Sequence, residues 1–228
     1  MLNEPIRAVS FDAAGTLIHL AEPVGCSYSR VADRHGISCS PDDLNRAFRA
    51  VWERTPAPFS PESRIEDPNE KSWWNRFVRK VFDEADAQIP AGSAFDTFFE
   101  DLYDYFEAPG TWIADPAAHE VLARVSQRYR IIILSNFDGR LRRILRDLEL
   151  LDFFEHTLLS CEIGASKPDQ RIFSEAAKVL DLPPNSILHV GDDPQCDWEG
   201  AEIAGFSLFR IGAGENSLGE LLRELSLA

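Results

Sequence analysis

Lysine is scarce in this 228-residue chain: Lys71, Lys80, Lys167 and Lys178 are the complete set. Bases of both kinds are outnumbered by acids, 23 to 38, which leaves a formal net charge of −15. A surface this acidic repels polyanions, so nucleic acid and anionic membranes are excluded as expected partners. Cysteine is sparse too. Cys26, Cys39, Cys161 and Cys196 have neither CxxC nor Cys/His ligand spacing, a pattern expected of free thiols in a reducing cytoplasm. No apolar run approaches the roughly 20 residues that span a bilayer. The opening MLNEPIRAVSF reaches a strand pattern almost at once, with no charged-then-apolar leader. Internal repeats and low-complexity tracts are absent as well. With 44% hydrophobic residues, the chain can bury one full core and a smaller appendage.

The informative stretch is AVSFDAAGTLIHL, Ala8 to Leu20. Ile6, Ala8, Val9 and Phe11 make an apolar run that closes on Asp12, and a Gly15-Thr16 turn follows. Such a run reads as a buried parallel strand with a carboxylate at its carboxyl end, where open α/β sheets bind ligands. Three further stretches follow in order: RIIILSN ending on Ser135 and Asn136, Lys167-Pro168 before a helix, and HVGDDPQCD with Asp192, Asp193 and Asp197. Each has a plain structural reading. Asp12 could cap the next element, Ser135 could end a strand, and Lys167 could be a solvated helix entry. The acids could favour a helix N-terminus, although three in six residues exceed what a cap needs. Their order, and a lysine falling at one position in a lysine-poor chain, argue for a site.

Between the first strand and the rest, the pattern is helical. Helices are expected over Ser27 to His35, from Pro41 behind an Ser40 N-cap, over Asn69 to Glu84 and over Ser93 to Phe106. Thr55 to Pro68, with four prolines, reads as a loop. The aromatic seams suggest a small bundle, in which at least one of Trp73 and Trp74 must be buried, since adjacent helical residues point about 100° apart. From Trp112 strands and helices alternate. Strands are expected at Tyr129–Ser135, His156–Ser160, Ser186–Val190 and Phe206–Ile211. The intervening helices cover about 116–127, Gly139–Leu148, Asp169–Leu180 and Asp197–Ala204. A Ser217/Glu220 capping box opens the last helix. This alternation predicts an α/β fold with a parallel sheet covered on both faces. The expected division is a core of 1–17 and 109–228 with a helical insertion over 18–108.

Taken together, the four motifs resemble the haloacid dehalogenase (HAD) superfamily of hydrolases. The resemblance implies a Rossmann-like parallel sheet with an inserted helical-bundle cap, and a small phosphorylated metabolite as substrate. By this resemblance Asp12 is the nucleophile that forms an aspartyl-phosphate. Ser135 and Asn136 bind the phosphate through a hydroxyl and a backbone N–H, and Lys167 neutralises it. Mg²⁺ would be held by the Asp12 and Asp192 carboxylates and the Ala14 carbonyl, and this hard-oxygen set suits the ion. Asp193 and Asp197 would stand behind them, holding Lys167 or a metal-bound water.

Ala14 departs from the pattern. Most phosphatases of the superfamily carry there a second Asp, which protonates the leaving oxygen and activates water. Phosphonoacetaldehyde hydrolases also read Asp-x-Ala-Gly-Thr but need an early cap lysine, and none lies between Asp12 and Glu70. Haloacid dehalogenases have a neutral loop where this chain has Gly191-Asp192-Asp193. The resemblance is greatest to the haloacid dehalogenase-like hydrolase domain-containing group, through Pro23-Val24-Gly25, Trp73-Trp74, the Ser-Asn-Phe-Asp run and the missing second Asp. Two readings stay open: a weak or specialised Mg²⁺-dependent phosphatase, or a catalytically degenerate HAD domain that binds or regulates.

Overall fold

The computed structural model describes residues 5–59 and 70–227. In chain order the elements are β1 (Ala8–Phe11), β2 (Ile18–Leu20), α1 (Val24–Arg34), α2 (Pro41–Arg54), α3 (Glu70–Glu84), α4 (Ser93–Tyr105) and β3 (Trp112–Ala114). Then follow α5 (Ala118–Val125), β4 (Arg130–Ser135), α6 (Arg140–Asp147), β5 (His156–Leu159), α7 (Ser160–Ile163), α8 (Gln170–Leu180) and β6 (Ile187–Gly191). The chain finishes with α9 (Gly200–Ala204), β7 (Ser207–Arg210) and α10 (Leu221–Glu224). The expected loop over 55–68 lies mostly outside the described residues.

The chain divides into two compact units. The sheet unit takes residues up to His19, Phe59, and those from Ile113 onward; the helical unit takes Leu20–Pro58 and the described residues up to Trp112. The sequence reading set these bounds at 18 and 108. The difference lies in β2 and β3, three-residue strands that pair with each other as a separate two-stranded sheet. A three-residue strand is too short to register as a period-2 pattern, so sequence reading passed over both.

In the sheet unit five strands lie in the order β5-β4-β1-β6-β7, and every adjacent pair is parallel. All residues of β1 and β6 are buried, as are Ile131 to Ser135 of β4. These are near-continuous apolar runs because helices cover both faces of such a sheet. On one face Ile132, Leu134 and Ile187 pack with Ile172, Phe173, Ala176 and Leu180 of α8. Burying each such side chain contributes about 1.5–3 kcal/mol. The chain builds outward from β1 to one side, then returns to build β6 and β7 on the other. The carboxyl end of β1 is therefore the switch point where an α/β sheet opens a crevice. Asp12 is the next residue.

The helical unit is built as its pattern requires. Ser40 accepts the Asp43 N–H at 3.1 Å, and Pro41 takes the first helical position of α2. The core joins Tyr28, Leu44, Val51, Trp73, Phe77, Phe82, Phe95 and Phe98. Trp73 is 5% exposed and donates its indole N–H to the Pro56 carbonyl at 3.1 Å. Trp74 is half-buried and stands edge-on to it, with ring centroids 4.9 Å apart.

Two local expectations are corrected. Ser160, expected to end a strand, instead opens α7. The helix expected from Asp197 to Ala204 is preceded and partly replaced by a π-helical turn, Pro194–Glu199, and α9 begins only at Gly200. The Asp193 carboxylate caps this turn, accepting the Gln195 and Cys196 N–H groups at 2.9 and 2.7 Å, and the Trp198 N–H reaches back five residues to the Asp193 carbonyl at 3.1 Å.

Candidate active site

The Asp12 N–H donates to the Val190 carbonyl at 2.8 Å. The residue therefore continues the sheet by one step, with its side chain at the sheet's carboxyl edge. It is 6% exposed. Its Oδ1 accepts from the Lys167 ammonium at 2.6 Å and from the Ser135 hydroxyl at 3.2 Å. Its Oδ2 accepts no hydrogen bond among the described residues. Burial pushes the Asp12 carboxyl up to about 6, against the pull of Lys167 and helped by the negative charges of Asp197 and Asp192.

Lys167 is 2% exposed and bridges two carboxylates, reaching Asp197 Oδ1 at 2.5 Å. Burial alone would lower its pKa, but Asp12 and Asp197 outweigh that and raise it, so it is a permanent cation. Asn136 holds the lysine's backbone from both sides. Its amide oxygen accepts the Lys167 N–H at 2.7 Å, and its amide nitrogen donates to the Lys167 carbonyl at 2.9 Å. The Asn136 side chain is thus a brace, and only its backbone N–H is left for the expected phosphate role.

Asp197 is 1% exposed. Burial works to raise its pKa, but Lys167 and the imidazole of His189 overcome this and hold it well below the usual carboxylate range. Its Oδ2 also accepts the Asp193 N–H at 3.0 Å. Asp193 therefore enters the site through its backbone while its carboxylate caps the turn; of its two expected roles, holding Lys167 or a metal-bound water, its side chain does not make the first. Asp192 is half-buried and accepts the Thr16 hydroxyl at 3.1 Å. Burial first, and Asp197 second, raise its pKa. Gly15 is left-handed, with φ of +98°, and a Cβ there would fall 2.3 Å from an Asp192 oxygen. Only glycine fits. Ala14 sits half-buried in the same turn and offers a methyl where an acid would stand.

Sequence reasoning missed His189 and Ser10, which face each other in register on β6 and β1. Ser10 Oγ lies 2.9 Å from His189 Nδ1, and His189 Nε2 lies 3.0 Å from Asp197 Oδ1. One signal was available: Ser10 and Asp12 are two apart, hence on one face of a strand.

The donor set fits a hard divalent cation. Oxygens of Asp12, Asp192 and Asp197 lie within 4.8 Å of one another. Three carboxylates here face one ammonium, Lys167, so a divalent cation would complete the charge balance. Asp197 already accepts from Lys167, His189 and the Asp193 N–H, which makes Asp12 and Asp192 the less engaged side-chain ligands.

A Rossmann-like sheet with an Asp–Lys–Asp cluster at its carboxyl edge is the core of a hydrolase fold class. The chain belongs to the haloacid dehalogenase-like hydrolase family, whose model matches residues 6–205. It is 33% identical over 223 residues to haloacid dehalogenase-like hydrolase domain-containing protein 3 of Homo sapiens, covering 96% of this chain and 86% of that protein. It is 25% identical to the rhythmically expressed gene 2 protein of Drosophila melanogaster, covering 88% and 80%. Among solved structures it resembles YfnB of Bacillus subtilis, assigned as a HAD-hydrolase and bound to magnesium, with a TM-score of 0.75 at 17% identity, covering 98% and 100%. L-2-haloacid dehalogenase from Xanthobacter autotrophicus superposes with a TM-score of 0.72 at 21% identity, covering 98% and 84%. These two likenesses are of fold.

Proposed function

We propose that the protein is a Mg²⁺-dependent phosphatase that acts on a small phosphorylated metabolite through an aspartyl-phosphate on Asp12. The observation that carries this is the asymmetry of Asp12: Oδ1 is held by Lys167 and Ser135, while Oδ2 has no donor among the described residues and is free to attack. A buried nucleophile fixed on one oxygen presents the other in a defined direction. Its Oδ2 forms a bond to phosphorus as the bond from phosphorus to the leaving oxygen breaks. Water then cleaves the acyl phosphate, returning Asp12 and releasing inorganic phosphate.

Lys167 neutralises phosphoryl charge, and the Ser135 hydroxyl and Asn136 N–H donate hydrogen bonds to the phosphate's oxygens. The Asp12 and Asp192 carboxylates with the Ala14 carbonyl would hold Mg²⁺, which supplies further charge neutralisation to the phosphoryl group. That YfnB, of the same fold, binds magnesium supports the choice of ion. The helical unit acts as the cap that selects the substrate. The four cysteines, which form no disulfide among the described residues, suit a reducing cytoplasm, and the charge of −15 argues against nucleic acid or membrane partners. Among the described residues no helix is long and apolar enough to cross a membrane.

Ala14 supports a second reading, in which the site binds a phosphorylated ligand without turnover. Hydrolysis of a panel of phosphoesters, with and without Mg²⁺, separates the two. Mg²⁺-dependent turnover abolished by Asp12→Asn is expected, and rates equal to that variant for every ester would leave the binding reading.

A further inference from the structure

His189 and Ser10 are both at 0% exposure in the middle of a parallel sheet, where apolar side chains would pack without any polar group to satisfy. With Asp197 they form a Ser–His–Asp chain. This is not a nucleophilic triad, because Ser10 is sealed from any substrate and contacts the imidazole through Nδ1. The chain points the other way, toward Lys167.

Asp197 is held ionised, so it can only accept. His189 must then carry its proton on Nε2, which leaves Nδ1 to accept the Ser10 hydroxyl proton. Asp197 thus fixes the tautomer, and the Ser10 hydroxyl satisfies Nδ1. Asp197 Oδ1 is in turn fixed by two donors, His189 and Lys167, and Oδ2 by the Asp193 N–H. Without the imidazole, one of the two donors on that oxygen disappears, and the ammonium loses its fixed second anchor. The orientation of the Asp197 carboxylate would then rest on the Asp193 N–H and the ammonium itself. Gly191 makes the arrangement possible, since a Cβ there would stand 2.3 Å from the Asp197 carboxyl carbon.

We propose that His189, with its Nδ1 paired to Ser10, is a positioning residue that fixes Asp197 and through it the Lys167 ammonium beside Asp12. The role for catalysis rests on the phosphatase reading; the positioning itself does not.

The test compares the full-length parent with His189→Phe, His189→Gln and Ser10→Ala. Two quantities are read: kcat and KM for p-nitrophenyl phosphate at saturating Mg²⁺, and the ¹⁵N-detected ammonium signal of Lys167, visible only while its protons are shielded from exchange. His189→Phe should lower kcat roughly 10- to 100-fold, the usual range for an orienting partner, with KM changed by no more than about twofold. It should also erase the Lys167 signal. His189→Gln, whose amide N–H reaches the place of Nε2, should regain most of both. Ser10→Ala leaves Nδ1 without its partner inside the sheet and should weaken the Lys167 signal, while Asp197 keeps the proton on Nε2. A His189→Phe protein with a lower Tm but parental kcat and Lys167 signal overturns the proposal. If that variant does not fold, a parental Lys167 signal in Ser10→Ala overturns it instead. A parent no faster than Asp12→Asn would remove the phosphatase reading, and the Lys167 signal alone would then decide the positioning.

Discussion

Gly15 and Asp192 occupy each other's space. A Cβ on Gly15 would stand 2.3 Å from Asp192 Oδ2, while the neighbouring Thr16 hydroxyl holds Oδ1 at 3.1 Å. The turn after β1 and the acidic loop after β6 therefore set each other's position. Gly15→Ala should destabilise by about 1–3 kcal/mol through its left-handed backbone alone, and should also displace Asp192. The expected result is a lowered Tm that Mg²⁺ no longer raises. A variant that keeps the parental Mg²⁺ response would show that Asp192 is not held by this contact.

Asp192 has a test of its own. A ligand that binds only the folded state stabilises it by about 2.7 kcal/mol at a concentration 100 times its Kd. Mg²⁺ should raise the parental Tm accordingly, and Asp192→Asn should abolish the rise. A mutant that responds like the parent removes Asp192 from the metal set.

The two following acids should behave differently from each other, though four residues apart in one loop. Asp197→Asn removes a partner from a lysine that is 2% exposed, and breaking a buried ion pair costs about 3–5 kcal/mol. Asp193→Ala removes a cap on an exposed turn, worth roughly 0.5–2 kcal/mol. Urea unfolding of both variants gives the comparison. Equal losses would mean that Asp193 bears on Lys167 by its carboxylate after all.

What the sequence made legible follows from the same physics. β1, β4 and β6 are long enough and apolar enough to read directly, and Asp12, Ser135 and the acidic loop stand at their ends, where polarity changes abruptly. Lys167 was visible because lysine is rare here. His189 and Ser10 were not, because a polar residue inside a buried strand carries no periodic signature; only strand register reveals that it has a partner. The separate tasks of Asp193 and Asp197 were equally hidden. Both are acids in one loop, and which of them caps is decided by a π-helical turn that no spacing rule anticipates.

Ala14 leads to the sharpest prediction. Without an acid at that position, a leaving oxygen departs unprotonated, so turnover should depend steeply on leaving-group pKa. Aryl and acyl phosphates would be hydrolysed and sugar phosphates barely touched. Ala14→Asp restores a general acid and should speed alkyl esters most, by up to the roughly 10²–10⁴-fold that such a group supplies. Activated esters gain less at the first step, because their leaving groups need no proton. Faster water attack on the aspartyl-phosphate could still lift them, so the slope of rate against pKa, rather than any one rate, carries the comparison. The half-buried setting of Ala14 beside the enclosed Asp12 also favours a raised carboxyl pKa in the mutant, as an acid catalyst near neutrality requires. The measurement is a pair of rate series, parent and mutant, at saturating Mg²⁺, with Asp12→Asn as the blank. A flat parental series would mean that another group delivers the proton, and the substitution would then change little.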